Sequence, residues 1–96
     1  MSEATLLSRT VRIENKRGLH ARASAKFVTL ASSLKATITV RKVGYDSNEV
    51  VGTSIMGLMM LGAAMGDEIV ISANGEGAEE ALNAITELVE DRFGEE

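Results

Sequence analysis

Apolar and polar residues alternate at the start of the chain. Leu7, Val11 and Ile13 share one parity, with Arg12 and Glu14 on the other, and this two-residue period predicts a strand over 6–14. Asn15-Lys16-Arg17-Gly18 breaks the pattern. The period then lengthens: Phe27, Leu30, Ala31 and Leu34 form one stripe, predicting a helix over 21–34. Alternation returns at Ala36, Ile38 and Val40, against Thr37, Thr39 and Arg41, and predicts a second strand over 36–42. Turn residues fill 43–48, and 49–52 form a short third strand that completes a hairpin. Thr53 and Ser54 are N-cap types before IMGLMMLGAAM, predicting a helix of about two turns ended by Gly62 or Gly66. Ile69, Ile71 and Ala73 mark a fourth strand over 67–73. After the Asn74–Gly77 turn, Ala78, Ala81, Leu82, Ile85, Leu88 and Val89 mark a last helix whose Glu79, Glu80, Glu87 and Glu90 face water.

The predicted order is β-α-β-β-α-β-α. Each strand has one apolar and one mostly polar face, which fits an antiparallel sheet covered by helices on one side, an α+β architecture. At 96 residues this is a single domain, 1–96, with its ordered core over about 6–92; the residues before the first strand are expected to fray.

Composition narrows the function. There is no cysteine, which excludes disulfides, thiolate metal sites and cysteine nucleophiles, and a single histidine excludes a histidine cage. No metal or cofactor is expected. No apolar run reaches membrane-spanning length and the start lacks signal-peptide character, so a cytoplasmic location without membrane insertion is expected. Residues 1–42 carry a net charge of +7 and residues 43–96 a net charge of −11. The basic half suits an anionic ligand or acidic partner, or the two halves neutralise each other on packing. The acidic remainder and the few aromatics argue against a nucleic-acid binder.

Gly18-Leu19-His20-Ala21-Arg22-Ala23-Ser24 joins the first strand to the first helix. Gly18 allows a tight turn, and His20 falls at or just before the N-cap. The unpaired first-turn amides and the positive end of the helix dipole form an anion site, to which Arg22 adds a bidentate fork. An imidazole there can take a phosphoryl group, and positive surroundings would keep it neutral and nucleophilic; Ser24 could assist. On local chemistry alone, a capping histidine beside one arginine is the favoured reading. Nothing offers a second general base or a nucleotide loop, so independent turnover is not expected.

Gly18-Leu19-His20-Ala21-Arg22 resembles the active-site motif of the HPr family, the histidine-containing phosphocarriers of the bacterial phosphoenolpyruvate-dependent phosphotransferase system. Thr53-Ser54-Ile55-Met56-Gly57-Leu58-Met59 resembles the family's regulatory-serine motif. Ile69-Val70-Ile71-Ser72-Ala73-Asn74-Gly75, with Ala81-Leu82 beyond, is a third match, in the family's order and near its spacing. The resemblance implies an open-faced β-sandwich: four antiparallel strands in order 1-4-2-3 with three helices on one face. It implies that Enzyme I phosphorylates His20, with Arg22 stabilising the phosphate, and that the group passes to an EIIA-type acceptor in sugar uptake or nitrogen regulation. It further implies Ser54 as the target of HPr kinase/phosphorylase. Ala23 stands where the family often has proline, as in chains of the nitrogen-type or regulatory branch. The hairpin loop at 44–48 is about three residues longer than the family's.

Arg22, Ala23, Lys26, Ile55, Met56 and Met59 are the expected docking residues, with Leu58 and Leu61 turned inward. A two-turn helix cannot hide all of Ile55, Met56, Leu58, Met59, Met60 and Leu61, and flexible thioethers suit surfaces that meet several partners. The chain is expected to be monomeric. The alternative function is a regulatory binding module that acts through this helix and is switched by phosphorylation.

A phosphate on Ser54 sits at a helix N-terminus, where negative charge is tolerated. Ser54→Asp should therefore keep one cooperative thermal transition. Loss of that transition would contradict a role confined to surface charge.

Overall fold

Side-chain alternation builds the sheet and helical stripes cover it. The computed structural model describes residues 6–44 and 48–95. The strands are β1 (Leu6–Arg12), β2 (Thr37–Lys42), β3 (Val50–Val51) and β4 (Glu68–Asn74), and the helices are α1 (Ala21–Ser32), α2 (Ile55–Met60) and α3 (Ala78–Glu90). The strand order is β1-β4-β2-β3 and every pairing is antiparallel. Leu7 faces Ala73 and Val11 faces Ile69 across one ladder, while Ile38 faces Ala73 and Val40 faces Ile71 across the next. Because successive side chains alternate, this register turns Val11, Ile38, Val40, Ile69, Ile71 and Ala73 to the helix side, where all are buried. The other face is hydroxyl-rich, and Ser8 Oγ and Ser72 Oγ meet at 2.8 Å across it.

Phe27 of α1, Leu58 of α2, and Ile85 and Val89 of α3 fill the layer above the sheet, each fully buried. The predicted glutamates of α3 are exposed, and Leu88 is half-buried at the edge of the stripe.

Several boundaries differ from the expected ones for local reasons. β1 ends at Arg12 because the register breaks at Ile13: its N–H still donates to Asp67 O, but its carbonyl accepts from Gly66 N, one residue out of step, both at 2.8 Å. α1 stops at Ser32, two residues early. Ser33 Oγ donates to the Leu30 carbonyl at 2.7 Å, a local bond that competes with helix continuation. β3 is only two residues long, with one further in-register bond from Gly52 N to the Ile38 carbonyl at 2.7 Å. α2 ends near Gly62, which adopts φ +67°. The expected fraying falls on residues 1–5, outside the described residues, as do positions 45–47 of the extended hairpin loop.

The β1–α1 loop is pressed against the segment after α2. Leu19 N donates to Ala63 O at 3.0 Å, and Gly18 takes φ +63°. A Cβ on Gly18 would lie 2.4 Å from that same oxygen and 2.9 Å from Ala64 Cα. Gly18→Ala therefore combines left-handed strain with a clash against main chain. It should lower stability by at least about 1–2 kcal/mol in a urea titration. An unchanged midpoint would contradict this contact.

Candidate functional site

His20 is the N-cap of α1, as the sequence suggested. Its backbone is extended at φ −76°, ψ −177°, its carbonyl accepts from Ser24 N at 2.9 Å, and Nδ1 accepts from Arg22 N at 3.3 Å. The cap geometry therefore aims the Nδ1 lone pair at the amides of the first turn.

The opposite edge of the ring is held from an unexpected direction. Nε2 lies 2.6 Å from Glu95 Oε2, and both side chains are 17% exposed. Glu95 Oε1 accepts from Asn15 Nδ2 at 3.1 Å, and the same nitrogen donates to Gly18 O at 2.8 Å. Burial pushes the Glu95 carboxyl up, but the bonds from Asn15 and His20 and the nearby His20 and Lys26 charges together hold it below the usual carboxylate range. The expected positive surroundings thus include one negative group: beside the cations and the helix end, a carboxylate bonds the Nε2 edge of the ring.

Arg22 is exposed in the first turn, and among the described residues its guanidinium has no ion-pair partner. With Lys16, Arg17, Lys26, Gly94 and Glu95 it lines a cleft rich in basic residues. Lys26 Nζ donates to Phe93 O at 2.7 Å, so this lysine is tethered while remaining at the cleft.

Two expectations are corrected. Ala23 is fully buried under the first turn, so its methyl group offers nothing to a docking partner. Ser24 is also fully buried, and its Oγ donates to Leu19 O at 3.2 Å, so its hydroxyl proton is directed to the loop backbone and not to the ring.

In α2, Ser54 is the N-cap, and its Oγ accepts from Gly57 N at 3.0 Å. Ile55, Met56 and Met59 are exposed and Leu58 is buried, as expected, while Leu61 is half-buried. Met60 and Met65 are exposed as well, extending the apolar surface beyond the expected residues. α1 and α2 pack together, so this surface lies on the helix that neighbours the His20 helix.

A family model described as the PTS HPr component phosphorylation site matches residues 7–91. The chain belongs to the HPr family. It is 46% identical over 90 residues to the phosphocarrier protein HPr of Neisseria meningitidis, covering 94% of this chain and 98% of that one. It is 42% identical over 91 residues to the phosphocarrier protein NPr of Shewanella violacea, covering 95% and 97%. Its backbone matches the crystal structure of HPr-C-His from Thermoanaerobacter tengcongensis with a TM-score of 0.84 at 43% identity, over 94% of this chain and 98% of that one. The protein is thus a phosphocarrier of the HPr/NPr type.

Asn15, Phe93 and Glu95 complete the His20 surroundings in this HPr-family chain, and the sequence pattern did not single them out. Asn15 read only as a turn residue, and Glu95 lies beyond the last periodic segment. The one available signal was Phe93, a large apolar residue after the acidic end of α3; it is fully buried.

Glu95 is held as the carboxylate, so its contribution to stability is present above its ordinary value of 4.5 and is lost as pH falls through the lower folded value. A carbon-detected NMR titration of the Glu95 carboxyl should give a midpoint below 4.5. A midpoint at or above that value would contradict the bonding described.

Proposed function

We propose that His20 is the phosphoryl-accepting residue and that Nδ1 is its reactive atom. The observation that carries this reading is the orientation of the ring: Nε2 is engaged by Glu95, and Nδ1 is turned to the amino end of α1. Nδ1 attacks the phosphorus of the donor, an Nδ1–P bond forms, and the bond from phosphorus to the donor's leaving group breaks with its electron pair. The incoming oxygens meet the first-turn amides and the positive dipole end, with Arg22 beside them to bind two oxygens at once. The next acceptor takes the group by the reverse of the same step.

In this reading Enzyme I is the donor and an EIIA-type protein the acceptor, consistent with relatives of both the HPr and the NPr name. Arg22, Lys26, Ile55, Met56 and Met59 form the docking surface, joined by Met60 and by the cleft residues Lys16 and Arg17. An apolar centre with a basic rim suits brief contacts with acidic partners. The chain acts as a monomer in the cytoplasm. Ser54 is the regulatory phosphorylation position: its hydroxyl oxygen accepts the cap bond, and a phosphate there would place negative charge beside Ile55 and Met56. The regulatory-module alternative shares the exposed surface of α2 and differs in needing no chemistry at His20.

Incubation with Enzyme I and phosphoenolpyruvate, followed by intact mass, should show one added phosphoryl group that is acid-labile, alkali-stable and absent from His20→Ala. No added group on the folded wild type, beside a competent control carrier, would contradict the proposal and favour the module. Arg22→Ala should accept the group more slowly by about tenfold, equivalent to about 1.4 kcal/mol of transition-state stabilisation.

A further inference from the structure

After α3 the chain turns sharply back toward His20. Arg92, Phe93 and Gly94 adopt φ values of 58°, 54° and 75°, three left-handed residues in succession. Two of them carry a Cβ, for which this region is uncommon. The turn is held by the fully buried Phe93 ring and by the bond from Lys26 Nζ to Phe93 O. Its result is to deliver Glu95 to the imidazole with both oxygens engaged, Oε1 by Asn15 and Oε2 by His20. Asn15 also donates to Gly18 O, so one buried amide ties the tail to the turn that aims the histidine.

We propose that Glu95 is a positioning residue for phosphoryl transfer: its carboxylate fixes the proton of His20 on Nε2, leaves the lone pair on Nδ1, and faces the positive charge the ring gains when Nδ1 is phosphorylated. The inference rests on the carrier reading above and deepens it. A carboxylate only accepts hydrogen bonds, so the neutral ring must present Nε2–H to it. The other tautomer would put a proton on Nδ1, facing the Arg22 N–H, and would leave no lone pair for attack. As the Nδ1–P bond forms and the donor's bond to phosphorus breaks, Nε2 keeps its proton. The ring becomes a phosphoimidazolium whose charge lies against Glu95. The charge is relieved when the next acceptor takes the phosphoryl group and the ring returns to the neutral Nε2–H form. Burial is outweighed by the bonds from Asn15 and His20, with a smaller effect of the Lys26 charge, and the carboxylate form is favoured for this role.

The test compares wild type with Glu95→Gln and Glu95→Ala. Imidazole 15N shifts, recorded where the ring is unprotonated, report the tautomer without any partner protein. Wild type should show a pyrrole-type Nε2 and a pyridine-type Nδ1. Both variants should show a mixture, because a glutamine amide can donate to Nε2 as well as accept from it, and alanine does neither. Phosphoryl acceptance from Enzyme I should fall by about tenfold in both. A tautomer unchanged in the variants overturns the proposal, and so does an unchanged acceptance rate. A lowered melting temperature with tautomer and rate intact assigns Glu95 to tail packing alone and overturns it too. Failure of wild type itself to accept a phosphoryl group overturns the carrier reading, while the tautomer comparison still decides whether Glu95 sets the ring.

Discussion

The bond from the Leu19 amide to the Ala63 carbonyl fixes the loop from which the site is built. It forms only because Gly18 has no Cβ to strike the same oxygen. With the loop pressed down there, His20 becomes the cap of α1 and its ring takes one orientation: one nitrogen toward the helix amides, the other toward the returning chain. The Ala63 segment is anchored in turn. Asp67 Oδ2 accepts from Ala64 N at 2.9 Å, and this bond, with the Lys42 charge, outweighs desolvation to keep the Asp67 carboxyl below its usual range. Ile13, Gly66 and Asp67 close the arrangement with main-chain bonds. The placement of His20 therefore depends on a glycine and a carbonyl that do not touch its ring.

Charge is arranged around the ring with two signs. The helix dipole, Arg22, Lys16, Arg17 and Lys26 make the entrance attractive to a phosphoryl group and to an acidic partner. Glu95 lines the same cleft and bonds Nε2, the ring nitrogen turned away from the helix amides. The division fits a carrier, which must hold its cargo without trapping it. In the proposed transfer the cations would meet the phosphoryl oxygens, while the carboxylate meets the ring.

Much of the fold was legible because two periods repeat cleanly. Leu7, Val11 and Ile13, and then Ile38 and Val40, alternate as strand residues must. Phe27 and Ala31, and then Ala81, Leu82, Ile85 and Val89, recur at helical spacing, and each of these six is buried. Helix ends were less legible, since the bond from Ser33 Oγ to Leu30 O that ends α1 leaves no mark on apolar spacing. The site was half legible. The Gly18–Arg22 segment is contiguous, so local chemistry and family resemblance both point to it. Glu95 lies 75 positions from His20, and no short-range pattern links them. Ala23 adjoins Arg22 in the sequence, but the first turn of α1 points one outward and buries the other.

The central claim is that capping geometry and the returning carboxylate select Nδ1 of His20 for phosphoryl transfer. The most direct measurement is nitrogen–phosphorus coupling in 15N-histidine-labelled protein after phosphorylation by Enzyme I. Coupling at Nδ1 of His20 is the predicted result. Coupling at Nε2, or a phosphoryl group on any other residue, would contradict the account.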